Sequence, residues 1–220
     1  MRPLVLFDLD NTLIDRLDAF RTWVAEFAAG RGLPGDAAQW MITLDADGSM
    51  PMNAFFEAVR DRFALPEPAE ALWLAYRARL PELVVCRPET LSALAGLREA
   101  GHPIGIVTNG MTDNQTGKIT TTGLDAYADG WAISDAEGIR KPDPRLLEIA
   151  ASRCGASPVG GWMIGDDPVN DISAGQAAGM GTIWIDRGGP WPAGRPRPDH
   201  VARDAATAAR LVLGHDTFTG

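Results

Sequence analysis

Lysine is nearly missing from this 220-residue chain: Lys118 and Lys141 stand beside 18 arginines. Wherever a positive charge alone serves, the chain uses Arg, so each lysine asks for a reason. Cysteine is as scarce, with only Cys86 and Cys154. They form no C-x-x-C spacing, which excludes a disulfide framework and a cysteine zinc site and fits a reducing cytoplasm. Long apolar runs are missing too. Leu4 to Phe7 ends at Asp8, too short for a signal-peptide core, and no stretch approaches a membrane span. Basic charge is in deficit, with a formal net charge of −9 and a pI near 4.8. That balance argues against a protein whose partner is nucleic acid or an anionic membrane surface. A small anionic substrate remains compatible, because a local site can invert the global sign.

What is present is ordinary for a globular chain: 45% apolar and 22% charged residues. The length suits one large domain, or a core with a small insert. Short apolar runs at Pro3–Asp8, Pro103–Thr108, Gly130–Ile133, Gly161–Ile164 and Thr182–Ile185 read as buried strands. Helical spacing falls between them, over Glu89–Ala100, Pro144–Arg153 and Asn170–Ala178, each stopped at or near a glycine. Strands alternating with helices predict a Rossmann-like three-layer α/β core around a parallel sheet. Residues 16–87 break the alternation. They carry amphipathic patterns at Ala19–Phe27, Met52–Phe63 and Ala69–Leu80 and no convincing strand, so they read as a helical insert after the first strand. The expected division is therefore a core of residues 1–15 and 88–220 and a helical unit of 16–87. The segment Arg187–Pro198, rich in Gly, Pro and Arg, reads as a surface loop.

Four groups of polar residues fall at the C-terminal ends of expected strands, the edge where parallel α/β sheets bind ligands. Asp8 and Asp10 leave the first strand. Two neighbouring carboxylates repel, and a hard divalent cation such as Mg²⁺ or a shared proton relieves them; an Asx-rich turn is the competing reading. Thr108-Asn109-Gly110 suits an oxyanion or a plain helix-capping turn. Lys141-Pro142-Asp143-Pro144 presents one of the two lysines, with Asp143 as the expected N-cap of a helix beginning at Pro144. Asp166, Asp167 and Asp171 leave the fourth strand, able to complete a metal site with Asp8 or to cap a helix. Each group alone is modest. All four in this order are hard to explain as accidents.

The succession DLDNT, TNG, KPDP and GDDPVND resembles the haloacid dehalogenase-like hydrolase superfamily, and the helical insert resembles the cap of its subfamily I, the C1 type. The resemblance spans roughly Leu4 to Ile185 and implies a Mg²⁺-dependent phosphatase acting on a small phosphorylated metabolite through an aspartyl-phosphate. Asp8 matches the nucleophile and Asp10 the general acid/base, whose backbone carbonyl would also hold the metal. Thr108 and Lys141 match the phosphate-holding pair, with Asn109 adding a hydrogen bond. Asp166 matches the main metal acid, and Asp171 the supporting acid; Asp167 stands where Ser is common. Substrate choice is expected in the helical cap, and the assembly is expected to be a monomer or homodimer. A metal-independent 2-haloacid dehalogenase, a phosphomutase and a non-catalytic binding protein are the alternatives. Asp10 counts against the first, and the undamaged motifs against the last.

Overall fold

A computed structural model describes residues 2–216; Met1 and residues 217–220 of the expected core lie outside them. The chain divides into two compact units, Met1–Ile14 with Cys86–Gly220, and Asp15–Val85. The first unit holds six parallel strands: β1 (Val5–Phe7), β2 (Ile104–Thr108), β3 (Gly130–Ile133), β4 (Trp162–Gly165), β5 (Gly181–Ile185) and β6 (His200–Ala202). Their spatial order is β3-β2-β1-β4-β5-β6. β1, β2, β4 and β5 are apolar and almost wholly buried, as strands covered on both faces must be. The first strand lies between β2 and β4, so the chain reverses its direction of travel across the sheet there. That reversal opens a crevice at the carboxyl ends of the strands.

The helices follow from their apolar spacing and their stops. In the second unit, α1 (Arg16–Gly30), α2 (Ala37–Asp45), α3 (Met52–Phe63) and α4 (Ala69–Arg79) surround an aromatic core. Phe20, Trp23, Phe55, Phe56 and Tyr76 are all buried there and meet mostly edge to face. Asp15 caps α1 by accepting the Asp18 N–H at 3.0 Å. Inside this unit Arg16 forms a two-pronged ion pair with Asp45, Nη2 to Oδ1 at 2.7 Å, and both residues are buried. Arginines of this unit have local partners: Arg79 bonds Glu26 and Glu82, Arg60 bonds Asp61, and Arg62 lies over Trp40.

In the first unit, α5 (Pro88–Glu99) opens with Pro at the position whose N–H has no helical partner. It is followed by α6 (Thr112–Thr121), α7 (Ser134–Glu137), α8 (Arg145–Arg153), α9 (Ser173–Ala177) and α10 (Ala205–Asp216). Leu146, Leu147, Ala150 and Ala151 of α8 pack with Leu4, Leu6, Val107 and Met163 of the sheet. Four helices and one strand lie outside the expected elements. They are α2, α6, α7, α10 and β6, the last beginning just after the Gly/Pro loop. The helix expected over Asn170–Ala178 is a π-helical turn, Pro168–Ile172, running into α9. The helix expected from Pro144 starts one residue later, with Asp143 accepting the Arg145 N–H at 3.0 Å.

Candidate active site

Asp8 is the last residue of its segment held by the sheet. Phe7 pairs with Ile106 on one side and Ile164 on the other, and the Asp8 N–H donates to Ile164 O at 2.8 Å. Asn11 then adopts φ of +62°, a left-handed conformation that Asn tolerates and most side chains do not. The turn sends the two aspartates in different directions. The Asp8 carboxylate receives Lys141 Nζ at 2.6 Å. The Asp10 carboxylate receives Lys118 Nζ on both oxygens, at 2.8 and 2.9 Å, and Gln115 Nε2 at 3.0 Å.

Lys141 is 2% exposed, and its ammonium donates to three acceptors: Asp8, Asp171 at 2.6 Å and the Val107 carbonyl at 2.8 Å. A planar guanidinium does not fit three such converging acceptors, which is a physical reason for Lys in a chain that otherwise uses Arg. Asn109 fixes the backbone beneath it. Its Oδ1 accepts the Lys141 N–H at 2.9 Å and its Nδ2 donates to the Lys141 carbonyl at 3.1 Å. The side chain expected to touch phosphate braces the lysine loop.

The acids after β4 divide their work. Asp167 caps the π-helical turn, accepting the Val169 N–H at 2.7 Å and the Asn170 N–H at 3.0 Å. That turn brings Asp171 back over the strand end, where its Oδ2 accepts the Asp167 N–H at 2.9 Å. Gly165 makes room for it: a Cβ there would run into the Asp171 carboxylate. Asp166 pairs with Arg187 Nη1 at 3.2 Å.

Asp8, Asp166 and Asp171 each offer an oxygen to one shared region, all within 4.8 Å of one another. Three buried or half-buried carboxylates thus meet one buried ammonium, and negative charge is in excess. Burial pushes the Asp8 carboxyl well above its ordinary range, Lys141 opposes this, and Asp171 adds to it. Burial likewise raises Asp171 against the pull of Lys141. Asp166 is pushed up to about 7, by burial first and by Asp171 next. Burial disfavours the Lys141 ammonium, but Asp171 and Asp8 outweigh it and hold its pKa above the ordinary lysine value. Oxygen ligands, close spacing and uncompensated negative charge are the donor set of a hard divalent cation, so this cluster fits a metal. The Asp10 side chain is not part of it.

Thr108, 1% exposed at the end of β2, accepts Gln115 Nε2 at its hydroxyl oxygen. Sequence reasoning marked Lys118 as unusual but gave it no role, and passed over Gln115. The signal was present: Lys118 is the second of only two lysines, and Gln115 lies three residues before it, on the same face of a helix.

The family model of the haloacid dehalogenase-like hydrolases matches residues 3–179. The phosphoserine phosphatase of Thermus thermophilus is 35% identical over 144 residues, 64% of this chain and 56% of that protein, so the chain matches little more than half of that relative's length. The glyceraldehyde 3-phosphate phosphatase of Pyrococcus abyssi is 29% identical over 86% of this chain and 83% of its own. Among solved structures, a 2-haloacid dehalogenase from Pseudomonas syringae is 28% identical with a TM-score of 0.64, covering 98% of this chain and 99% of that one. Among the described residues, no helix is long and apolar enough to cross a membrane.

Proposed function

The chain belongs to the haloacid dehalogenase-like hydrolases, and from that membership we propose that it is a Mg²⁺-dependent phosphomonoesterase acting on a small metabolite through an aspartyl-phosphate. The observation that carries this reading is the separation of two carboxylates two residues apart. Asp8 lies in the Lys141 cluster, while Asp10 is held outside it by Lys118 and Gln115. On this reading one acid attacks and the other moves protons.

Asp8 attacks phosphorus as the bond to the leaving oxygen breaks, and Asp10 donates a proton to that oxygen. Asp10 then takes a proton from the water that cleaves the acyl phosphate. A carboxylate and a phosphate dianion repel, so the attack needs positive charge around both. Lys141 supplies one such charge beside Asp8. Asp8, Asp166 and the Asp10 backbone carbonyl would hold Mg²⁺, with Asp171 in support, and the bound ion would neutralise the charge of the phosphoryl group. Thr108 and Lys141 hold phosphoryl oxygens, and Asn109 keeps the Lys141 backbone in place. The helical unit, residues 15–85, is the part that selects among phosphate esters.

Dehalogenation by the same scaffold involves no leaving-group oxygen to protonate, and a second acid held by two buried side chains has no part in it. A phosphomutase would pass the phosphoryl group to a second hydroxyl.

The test is phosphate release from a panel of 4-nitrophenyl phosphate, nucleoside monophosphates, sugar phosphates, phosphoglycolate, phosphoserine and glyceraldehyde 3-phosphate, with Mg²⁺ and with excess chelator. Release that stops with chelator is expected. Release that survives the chelator removes the metal from the mechanism, and no release from any ester overturns the phosphatase reading.

A further inference from the structure

Two buried side chains of α6 are unexplained by packing. Gln115 is 1% exposed and Lys118 3%, in a helix whose sequence, Thr112 to Thr121, is otherwise mostly polar. A buried ammonium is unfavourable unless paired and hydrogen-bonded, and an aliphatic side chain would fill the same space without that demand. Lys118 Nζ donates to both oxygens of Asp10 and to Gln115 Oε1, the last at 2.7 Å.

These bonds determine one another. An ammonium only donates, so the Gln115 atom facing it is the carbonyl oxygen. The amide nitrogen therefore faces the other way, toward Asp10 Oδ2 and Thr108 Oγ. An amide NH₂ only donates, so the Thr108 oxygen is an acceptor in that bond. The threonine's own proton is then left to point at something else. Lys118 thus sets the direction of a hydroxyl proton two side chains away.

We propose that Lys118 and Gln115 are the positioning pair of this site. Lys118 holds the Asp10 carboxylate where it serves the leaving oxygen, and Gln115 couples that acid to Thr108 and aims the Thr108 hydroxyl proton at the substrate anion. The proposal rests on the phosphomonoesterase reading. As the Asp8–phosphorus bond forms, the bond to the leaving oxygen breaks and that oxygen departs with both electrons. Asp10, which enters this step carrying a proton taken from solvent, gives it to that oxygen and becomes the carboxylate that Lys118 and Gln115 hold. The charge that arrives on Asp10 is received by donors already in place, which is where preorganised groups act most strongly.

This predicts a dependence on the leaving group that a merely structural residue would not show. An alkoxide needs its proton in the transition state, whereas 4-nitrophenolate departs without one. The experiment measures kcat/KM, which reports steps through bond cleavage, for an alkyl phosphate and for 4-nitrophenyl phosphate. In Lys118→Met the loss on the alkyl ester is expected to exceed the loss on the aryl ester by tenfold or more. Lys118→Gln, which keeps an N–H donor, is expected to recover part of that difference. Gln115→Leu is expected to raise KM for both esters alike, because it disturbs the Thr108 proton and hence the grip on the phosphoryl group. Equal losses on the two esters in whichever Lys118 variant folds, judged by circular dichroism, would overturn the proposal and leave the phosphatase reading intact. A wild-type protein that cleaves neither ester nor any other panel member would overturn both.

Discussion

Two buried clusters of charge, one in each unit, follow opposite designs. In the helical unit Arg16 and Asp45 meet one to one, with two parallel hydrogen bonds and the Tyr76 hydroxyl alongside. In the sheet unit Asp8 and Asp171 share Lys141, and Asp166, close beside them, turns to Arg187. The first arrangement is neutral and closed, and it asks for nothing further. The second carries negative charge that its own residues do not balance, in a crevice where parallel sheets bind ligands. Burial of charge alone does not distinguish a site from a strut; the sign left over does.

The sharpest way to break the comparison is at the nucleophile. Asp8→Asn keeps the shape of the cluster and removes one negative charge. Turnover is expected to fall by more than about 1,000-fold while the circular dichroism spectrum stays unchanged. Near-normal phosphate release from that variant would end the nucleophile assignment.

The balanced pair should respond in stability. Arg16→Met leaves a buried carboxylate with its main partner gone, and a loss of about 3–5 kcal/mol is expected for such a break. The double variant Arg16→Met/Asp45→Leu removes both charges and is expected to recover much of that loss. Urea unfolding followed by tryptophan fluorescence reads the difference, since Trp23 lies in the aromatic core of the same unit. A double variant as unstable as the single one would show that the pair is more than a neutral strut.

A smaller and opposite change is expected at Asp166. Its folded pKa of about 7 lies above the unfolded value of roughly 3.9. The folded chain therefore binds that proton more tightly, and its contribution to stability is lost as pH rises from about 4 to 7. Without divalent metal, Asp166→Asn is expected to be more stable than wild type at pH 8 by about 1–2 kcal/mol. In a chain of this size that is a rise in melting temperature of roughly 2–8 °C. The gain should shrink as pH falls toward 4.5. Thermal melts at the two pH values check it, and a variant less stable at pH 8 would mean that the Arg187 contact outweighs the relief of repulsion.

The parallel sheet was legible because β1, β2, β4 and β5 are short apolar runs with polar ends, and that signal needs no tertiary information. The positions of Asp8 and Asp166 at strand exits followed from it; Lys141, expected at a strand end, comes after α7, beyond the end of β3. What stayed hidden depended on contacts far apart in the chain. α6 is mostly polar, with Thr and Gly in its interior, and it orders around Asp10, more than a hundred residues away. Asn109 was expected at phosphate through the family resemblance; the partner of its side chain here, the Lys141 backbone, lies 32 residues on. Only the resemblance set Asp171 apart from Asp167; residue pattern alone could not, because the wide π-helical turn decides which one returns to the strand end.

Both lysines of this chain lie in its interior, at 3% and 2% exposure. The folded protein therefore offers no side-chain amine to its surroundings. Reagents that seek primary amines, enzymes that acetylate lysine and ligases that build on it find no such group on the surface. An amine-directed label that did enter a side chain would report on Lys118 or Lys141, and hence on the opening of the sheet-bearing unit. The scarcity that marked two residues as unusual in the sequence makes them native probes of that unit's integrity.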